Sequence, residues 1–164
     1  MVKALQLNIF FVICLLTAAC APSAPTPVAV STFTDSDPEF EEAVRQAQNT
    51  LPTFRQAFLA PKSSYALLSL KVRFEGEGKV EDMWTEPLYI LDDTYTVRMV
   101  EGVTIEKGIH PNRILDIKLQ DIVDWMILQE DGKVIGGYTL RLKYERLTPA
   151  EQKKYRENTG YRFE

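Results

Sequence analysis

Cysteine is nearly missing from this chain. Only Cys14 and Cys20 occur in 164 residues, and both fall within the first twenty. Residues 37–164 therefore offer no thiol for nucleophilic or redox chemistry and no disulfide to staple a fold. Histidine is scarcer still. His110 stands alone, which excludes a histidine cluster for zinc and leaves any Ser/His/Asp arrangement dependent on one loop residue. No glycine-rich stretch has the form that cradles phosphate, because Gly136-Gly137 lies inside an apolar segment without the surrounding motif. No basic block occurs either. Nineteen Lys and Arg stand against 23 Asp and Glu, for a net charge of −4, so nucleic acid is not an expected partner. No cofactor is expected. The longest apolar run near the start, Ile9 to Leu16, is too short to span a bilayer comfortably.

What stands at the amino terminus is an address. Lys3 precedes the apolar run, and small residues close it in Leu16-Thr17-Ala18-Ala19-Cys20. Residues 1–19 read as a secretory signal. The closing LTAAC resembles the lipobox of bacterial lipoproteins, with Thr17 where Leu is usual. The resemblance implies cleavage before Cys20, lipidation of Cys20 with palmitate-type chains, and a membrane partner held through that anchor. Ala21 rather than Asp follows the cysteine, which in a Gram-negative cell favours the outer membrane, with the protein facing the periplasm or the exterior. Residues 20–36 are rich in Pro, Ala, Ser and Thr and read as a tether.

Residues 37–164 read as one α+β domain, long enough for a core of its own. Asp37-Pro38-Glu39 predicts a helix start. Phe40, Val44, Ala47 and Leu51 line one face, and Pro52 predicts a break near Asn49-Thr50, with a second short helix to Leu59. Strict alternation from Tyr65 to Glu75 predicts a strand. Further strands are expected over 79–90, around Tyr95 to Met99, and over 113–117. The longest irregular segment is 101–112. Thr148-Pro149-Ala150-Glu151 is a capping box for a terminal helix to about Asn158, whose sparse apolar face, mainly Tyr155, suits a loose lie on the surface.

The organising stretch runs from Asp121 to Leu142. Two apolar arms flank Glu130-Asp131-Gly132-Lys133, and Asp-Gly signals a hairpin because both residues tolerate positive φ. The first arm is apolar on both faces and reads as a covered central strand. The second alternates, with Val134, Tyr138, Leu140 and Leu142 on one face, and reads as a strand to Leu142 and beyond. The expected architecture is a curved antiparallel sheet of five or six strands with helices at the ends.

Three segments carry a family likeness: Glu81-Asp82-Met83-Trp84, Asp121-Ile122-Val123-Asp124-Trp125-Met126, and Gly132-Lys133-Val134-Ile135-Gly136-Gly137-Tyr138-Thr139-Leu140-Arg141. Together they resemble a bacterial family catalogued as domain of unknown function 2314, over a core of about residues 40–143. The resemblance implies no activity. The chain departs from the family pattern at Asp82, where His is common, and at Glu101-Gly102-Val103, where an Asn-Asp-Pro loop is usual. Asn112 replaces a glycine before the fourth strand and can still take a left-handed turn conformation.

The candidate site residues divide by chemistry. Asp82, Asp121 and Asp124 are the carboxylates available for acid/base work or a weak cation site, though Asp121 also suits a turn and Asp124 a pairing with Arg141. Trp84, Trp125 and Tyr138 are candidates for a binding patch, and equally for the core. Gly136-Gly137 gives a strand stretch without side chains, suited to a ligand, a bulge, or a large neighbour such as Trp125. No metal site is expected. The first expectation is a lipid-anchored envelope protein that binds another protein or an envelope component without catalysis. The alternatives are a hydrolase built on the three aspartates, and an inhibitor or immunity-type protein using an acidic protruding loop at 101–112.

Overall fold

Asp37 opens the fold as a helix cap. Its carboxylate accepts from the N–H groups of Glu39 and Phe40 at 3.1 and 3.4 Å, and Pro38 takes the first helical position. The computed structural model describes residues 37–76, 78–104 and 108–163, all within one compact unit. The expected signal, Cys20 and the tether lie outside the described residues.

Helix α1 (Pro38–Leu59) is continuous, with Pro52 inside it. The expected break at Asn49-Thr50 is therefore corrected. An interior proline costs about 3 kcal/mol, but Ala43, Val44, Ala47, Leu51, Phe54 and Ala57 are buried along one face on both sides of it. Helices in proteins draw most of their stability from such a packed face. The turn before the proline is also bonded from outside: the Trp125 indole donates to the Ala47 carbonyl at 2.9 Å.

Six strands follow: β1 (Tyr65–Gly76), β2 (Lys79–Leu91), β3 (Thr94–Met99), β4 (Ile114–Lys118), β5 (Ile122–Gln129) and β6 (Val134–Gly136). They form one antiparallel sheet in the order β4-β3-β2-β1-β5-β6. The fold is α+β, as the alternation implied. Asn112 takes φ 67° before β4.

The β5–β6 hairpin differs from expectation in two ways. Only Gly132 is left-handed at the turn, with φ 87°. Gly132 N–H donates to Gln129 O and Gln129 N–H to Lys133 O, both at 2.9 Å, which is a type I turn closed by a glycine bulge. The second arm is also short. After Gly136 the chain leaves the sheet and forms helix α2 (Tyr138–Glu145). Gly136 and Gly137 have φ of 73° and 64°, a conformation that ends a strand. Tyr138 and Leu142 are also four apart, so the same residues that alternate like a strand fit a helical stripe.

Helix α3 (Pro149–Thr159) begins at the capping box, with both of its bonds formed. It does not lie loosely: Tyr155 is buried and meets Tyr144, Tyr161 and Phe163. The tail then runs beside β6, with Arg162 bonded to Gly132 and Val134.

The sheet has two unlike faces. Leu70, Val72 and Phe74 of β1, Tyr95, Val97 and Met99 of β3, and Ile122, Trp125 and Ile127 of β5 point to the packed face, where α1 contributes Leu51 and Phe54. On the outer face, Phe40 and Val44 of α1 meet Val123 and Leu142. Helix α1 thus crosses the part of the β5 edge that short β6 leaves open, and its Gln48 amide donates to Ile122 O at 3.2 Å.

The two ends of the α1–α2 pair are tied by charge. Arg146, at the end of α2, bonds to both Asp37 and Glu39. The Arg146 hydrogen bond holds the Asp37 carboxyl down to about 2, from an ordinary 3.8. A depressed folded-state pKa gives stability that is present above the ordinary value and lost as pH falls through the folded one. Asp37→Asn is expected to flatten the acid limb of the melting curve between about pH 4 and about pH 2. An unchanged limb would assign it to other carboxylates.

Candidate functional site

The register of β2, β1 and β5 writes a polar row across the outer face. Lys71 of β1 lies opposite Trp84 of β2 on one side and Asp124 of β5 on the other. The next row pairs Arg73 with Asp82. Lys71 and Arg73 alternate with the core residues Leu70, Val72 and Phe74, so one strand supplies both faces.

Asp124 is the most constrained of these groups. It is 0% exposed. One carboxylate oxygen accepts from Trp125 N–H at 2.8 Å and Tyr138 N–H at 3.1 Å. The other accepts from Thr139 N–H at 2.8 Å and the Thr139 hydroxyl at 2.7 Å. Helix α2 begins at Gly137, which has no capping side chain. Asp124 therefore acts as the N-cap from a neighbouring strand, where a negative charge meets the positive end of the helix. Burial pushes its carboxyl up, against the Thr139 and Trp125 bonds that favour the ion. It is held by backbone N–H groups and the Thr139 hydroxyl rather than by Arg141.

Lys71 completes the cluster. Its ammonium donates to Thr139 Oγ1 at 3.2 Å, so Thr139 links it to Asp124. The rings of Phe40 and Trp84 flank it, each 5.9 Å from centroid to nitrogen. Burial pulls the ammonium down, against the attraction of Asp82 and Asp124.

The other candidates go to different places. Asp82 is held by Arg73 in a two-pronged bridge of 2.9 and 3.1 Å. Asp121 ends a 3-10 turn, Leu119–Asp121, and borders a shallow groove with Val72 and Ile117. The three aspartates do not converge, and among the described residues no three His, Cys, Asp or Glu side chains gather as metal ligands would. Trp125 is 1% exposed, on the packed face against Phe54 and Tyr138. Trp84 is partly exposed on the opposite face, so the two tryptophans form no common patch. Tyr138 starts α2 at the sheet edge. Gly136 lies on Trp125: a β-carbon there would come within 2.5 Å of Trp125 O and 2.6 Å of its ring. Gly137 N–H donates to Trp125 O at 2.7 Å.

Lys71, Thr139, Arg73 and Phe40 escape a reading of the sequence. The available signal was two cations in the middle of the apolar run Leu67 to Phe74. Only the pairing register shows that they face Asp124 and Asp82.

The outer face of β2, β3 and β4 presents large apolar side chains to solvent. Tyr89 and Leu91 are 73% and 72% exposed and Ile114 is 55% exposed. Around them stand the pairs Arg98–Glu86 and Thr96–Asp116.

These features define a small antiparallel α+β domain with one face packed and one largely open. Residues 37–163 match the family described as "Uncharacterized protein conserved in bacteria (DUF2314)", and the chain belongs to it. The match extends past the expected core of 40–143 to take in α3 and the tail. Neither a curated protein nor a solved structure matches the chain. No helix among the described residues is long and apolar enough to cross a membrane.

The Asp124 network makes a direct prediction. Asp124→Ala removes the cap of α2 and a nearby counter-charge of Lys71, and is expected to cost at least about 3 kcal/mol in urea denaturation. Amide exchange should quicken first at Tyr138 and Thr139. Unchanged protection there would show that α2 needs no cap from β5.

Proposed function

We propose that this chain is a lipid-anchored envelope protein whose α+β domain binds another protein through the open outer face of its sheet. The observation that carries the reading is the exposure of Tyr89 and Leu91 together on β2, with Ile114 exposed on the same face of β4, across β3. Isolated exposed apolar residues are ordinary, but several on one sheet face, with polar pairs between them, resemble the mixed surface of a protein interface. The lipobox-like Leu16-Thr17-Ala18-Ala19-Cys20 supports the anchor, and the Pro-rich stretch after it supports a tether that leaves this face free to meet a partner.

The hydrolase alternative has less support. Asp124 has its acceptor positions filled and no exposure, Asp82 is bridged to Arg73, and Asp121 stands apart from both. General acid/base work needs a carboxylate within reach of substrate. The inhibitor reading rested on a protruding loop at 101–112. Its described parts are pinned instead: Val103 and Ile109 are buried, and Thr104 donates to Glu81.

Two variants test the two halves of the proposal. Cys20→Ser is expected to move the protein from the membrane fraction to the soluble one, and persistence in the membrane would sink the anchor. Tyr89→Glu with Leu91→Glu should leave stability within about 0.5 kcal/mol, as surface changes do. A photo-crosslinker at position 89 should trap one defined envelope protein, and the double variant should lose that protein. Equal trapping from position 89 and from an exposed site on α3 would count against the outer face.

A further inference from the structure

Where the open part of the outer face meets the part packed by α1 and α2 stands a second chemical feature, Lys71 of β1 beside Trp84 of β2. Lys71 has three N–H donors, and the described residues give them one acceptor, Thr139 Oγ1. Opposite it, the Trp84 indole N–H has no acceptor among the described residues, and it is not among the buried groups. Donor capacity that no described acceptor fills, part of it cationic, thus stands at paired positions on adjacent strands. The nearby acids are not free to answer them. Asp82 is bridged to Arg73, Glu86 to Arg98, and Asp124 accepts from four protein donors.

From this geometry we infer that Lys71 and Trp84 form a binding site for a single carboxylate group, presented by a partner protein or by a small organic acid. The inference rests on the outer-face reading above and names the ligand chemistry at its inner end. A carboxylate has two oxygens on one carbon, one for the ammonium and one for the indole N–H, and it is flat enough to enter beside the Phe40 and Trp84 rings. The charge also fits. Asp82 and Asp124, the acids nearest Lys71, are already held by protein donors, so a carboxylate would meet the ammonium rather than compete for it. A phosphate dianion would bring further negative oxygens towards Asp82 and Asp124.

The test is a titration of the full chain in detergent micelles, followed by the indole N–H resonances in NMR. Acetate is the probe. Trp84 is expected to shift along a saturable curve while the buried Trp125 resonance stays in place. Lys71→Met should weaken the acetate response by at least about tenfold, the loss expected for one charge-assisted bond. Inorganic phosphate should bind more weakly than acetate, and acetamide not at all. An N-acetylated peptide ending in a free carboxylate should bind more tightly than acetate if the source is a protein terminus, and equally if the source is a small acid. A Trp84 resonance unmoved by acetate, or moved equally by acetamide, overturns the site. Where Lys71→Met loses the Trp125 resonance and so fails to fold, Trp84→Phe supplies the second measurement. Acetate should raise its melting temperature less than that of the parent, and an equal rise overturns the role of Trp84. If acetate fails while Tyr89→Glu with Leu91→Glu still loses the trapped partner, only the carboxylate site falls.

Discussion

A buried carboxylate has no water to solvate it and must be answered by the protein. Asp124 is such a group, and the two unlike sides of this domain meet at it. Its four hydrogen bonds come from β5 itself and from the first turn of α2. That arrangement ends the second hairpin arm as a strand and starts it as a helix. Through Thr139 it also reaches Lys71 and so fixes a cation on the outer face of β1. Leaving any of these donors unpaired would cost as much as a sizeable part of a small domain's net stability.

The two glycines before α2 belong to the same constraint. Gly136 lies against Trp125 so closely that a β-carbon could not be added without moving backbone or ring. The close approach brings Gly137 N–H onto Trp125 O and places Tyr138 and Thr139 at Asp124. Trp125 in turn reaches the other way, into α1, where its indole bonds to Ala47 in the turn before Pro52. One strand position thus couples the packed helix to the sheet, and its neighbour couples the sheet to the second helix.

The proposed function follows from what this framework leaves unoccupied. The acids that might serve as catalysts are the ones the framework uses: Asp124 as a cap and Asp82 as a bridge. The groups with capacity to spare lie on the outer face, in the exposed Tyr89, Leu91 and Ile114 and, beside the part that α1 and α2 pack, in the donors of Lys71 and Trp84. A rigid sheet that presents apolar side chains beside a fixed charge is suited to recognition. In the proposed binding role it would hold its contact groups in place before a partner arrives and so lower the ordering cost of binding.

Residue pattern alone was enough for the class of fold, the cap at Asp37, the strands over 65–75 and 79–90, the left-handed turn at Asn112 and the capping box at Thr148. Each of these depends on side chains within a few positions of one another, so local chemistry decides it. Three features were decided by contacts distant in sequence. Pro52 stayed within a helix because Leu51, Phe54 and Ala57 gain a core on the sheet. The stretch from Tyr138 to Leu142 suited strand and helix alike, and a carboxylate fourteen residues away chose between them. Lys71 met Trp84 and Asp124 only through strand register, which places residues 13 and 53 positions apart side by side. Periodicity tells which face a side chain takes, but only the pairing of strands tells what it meets there.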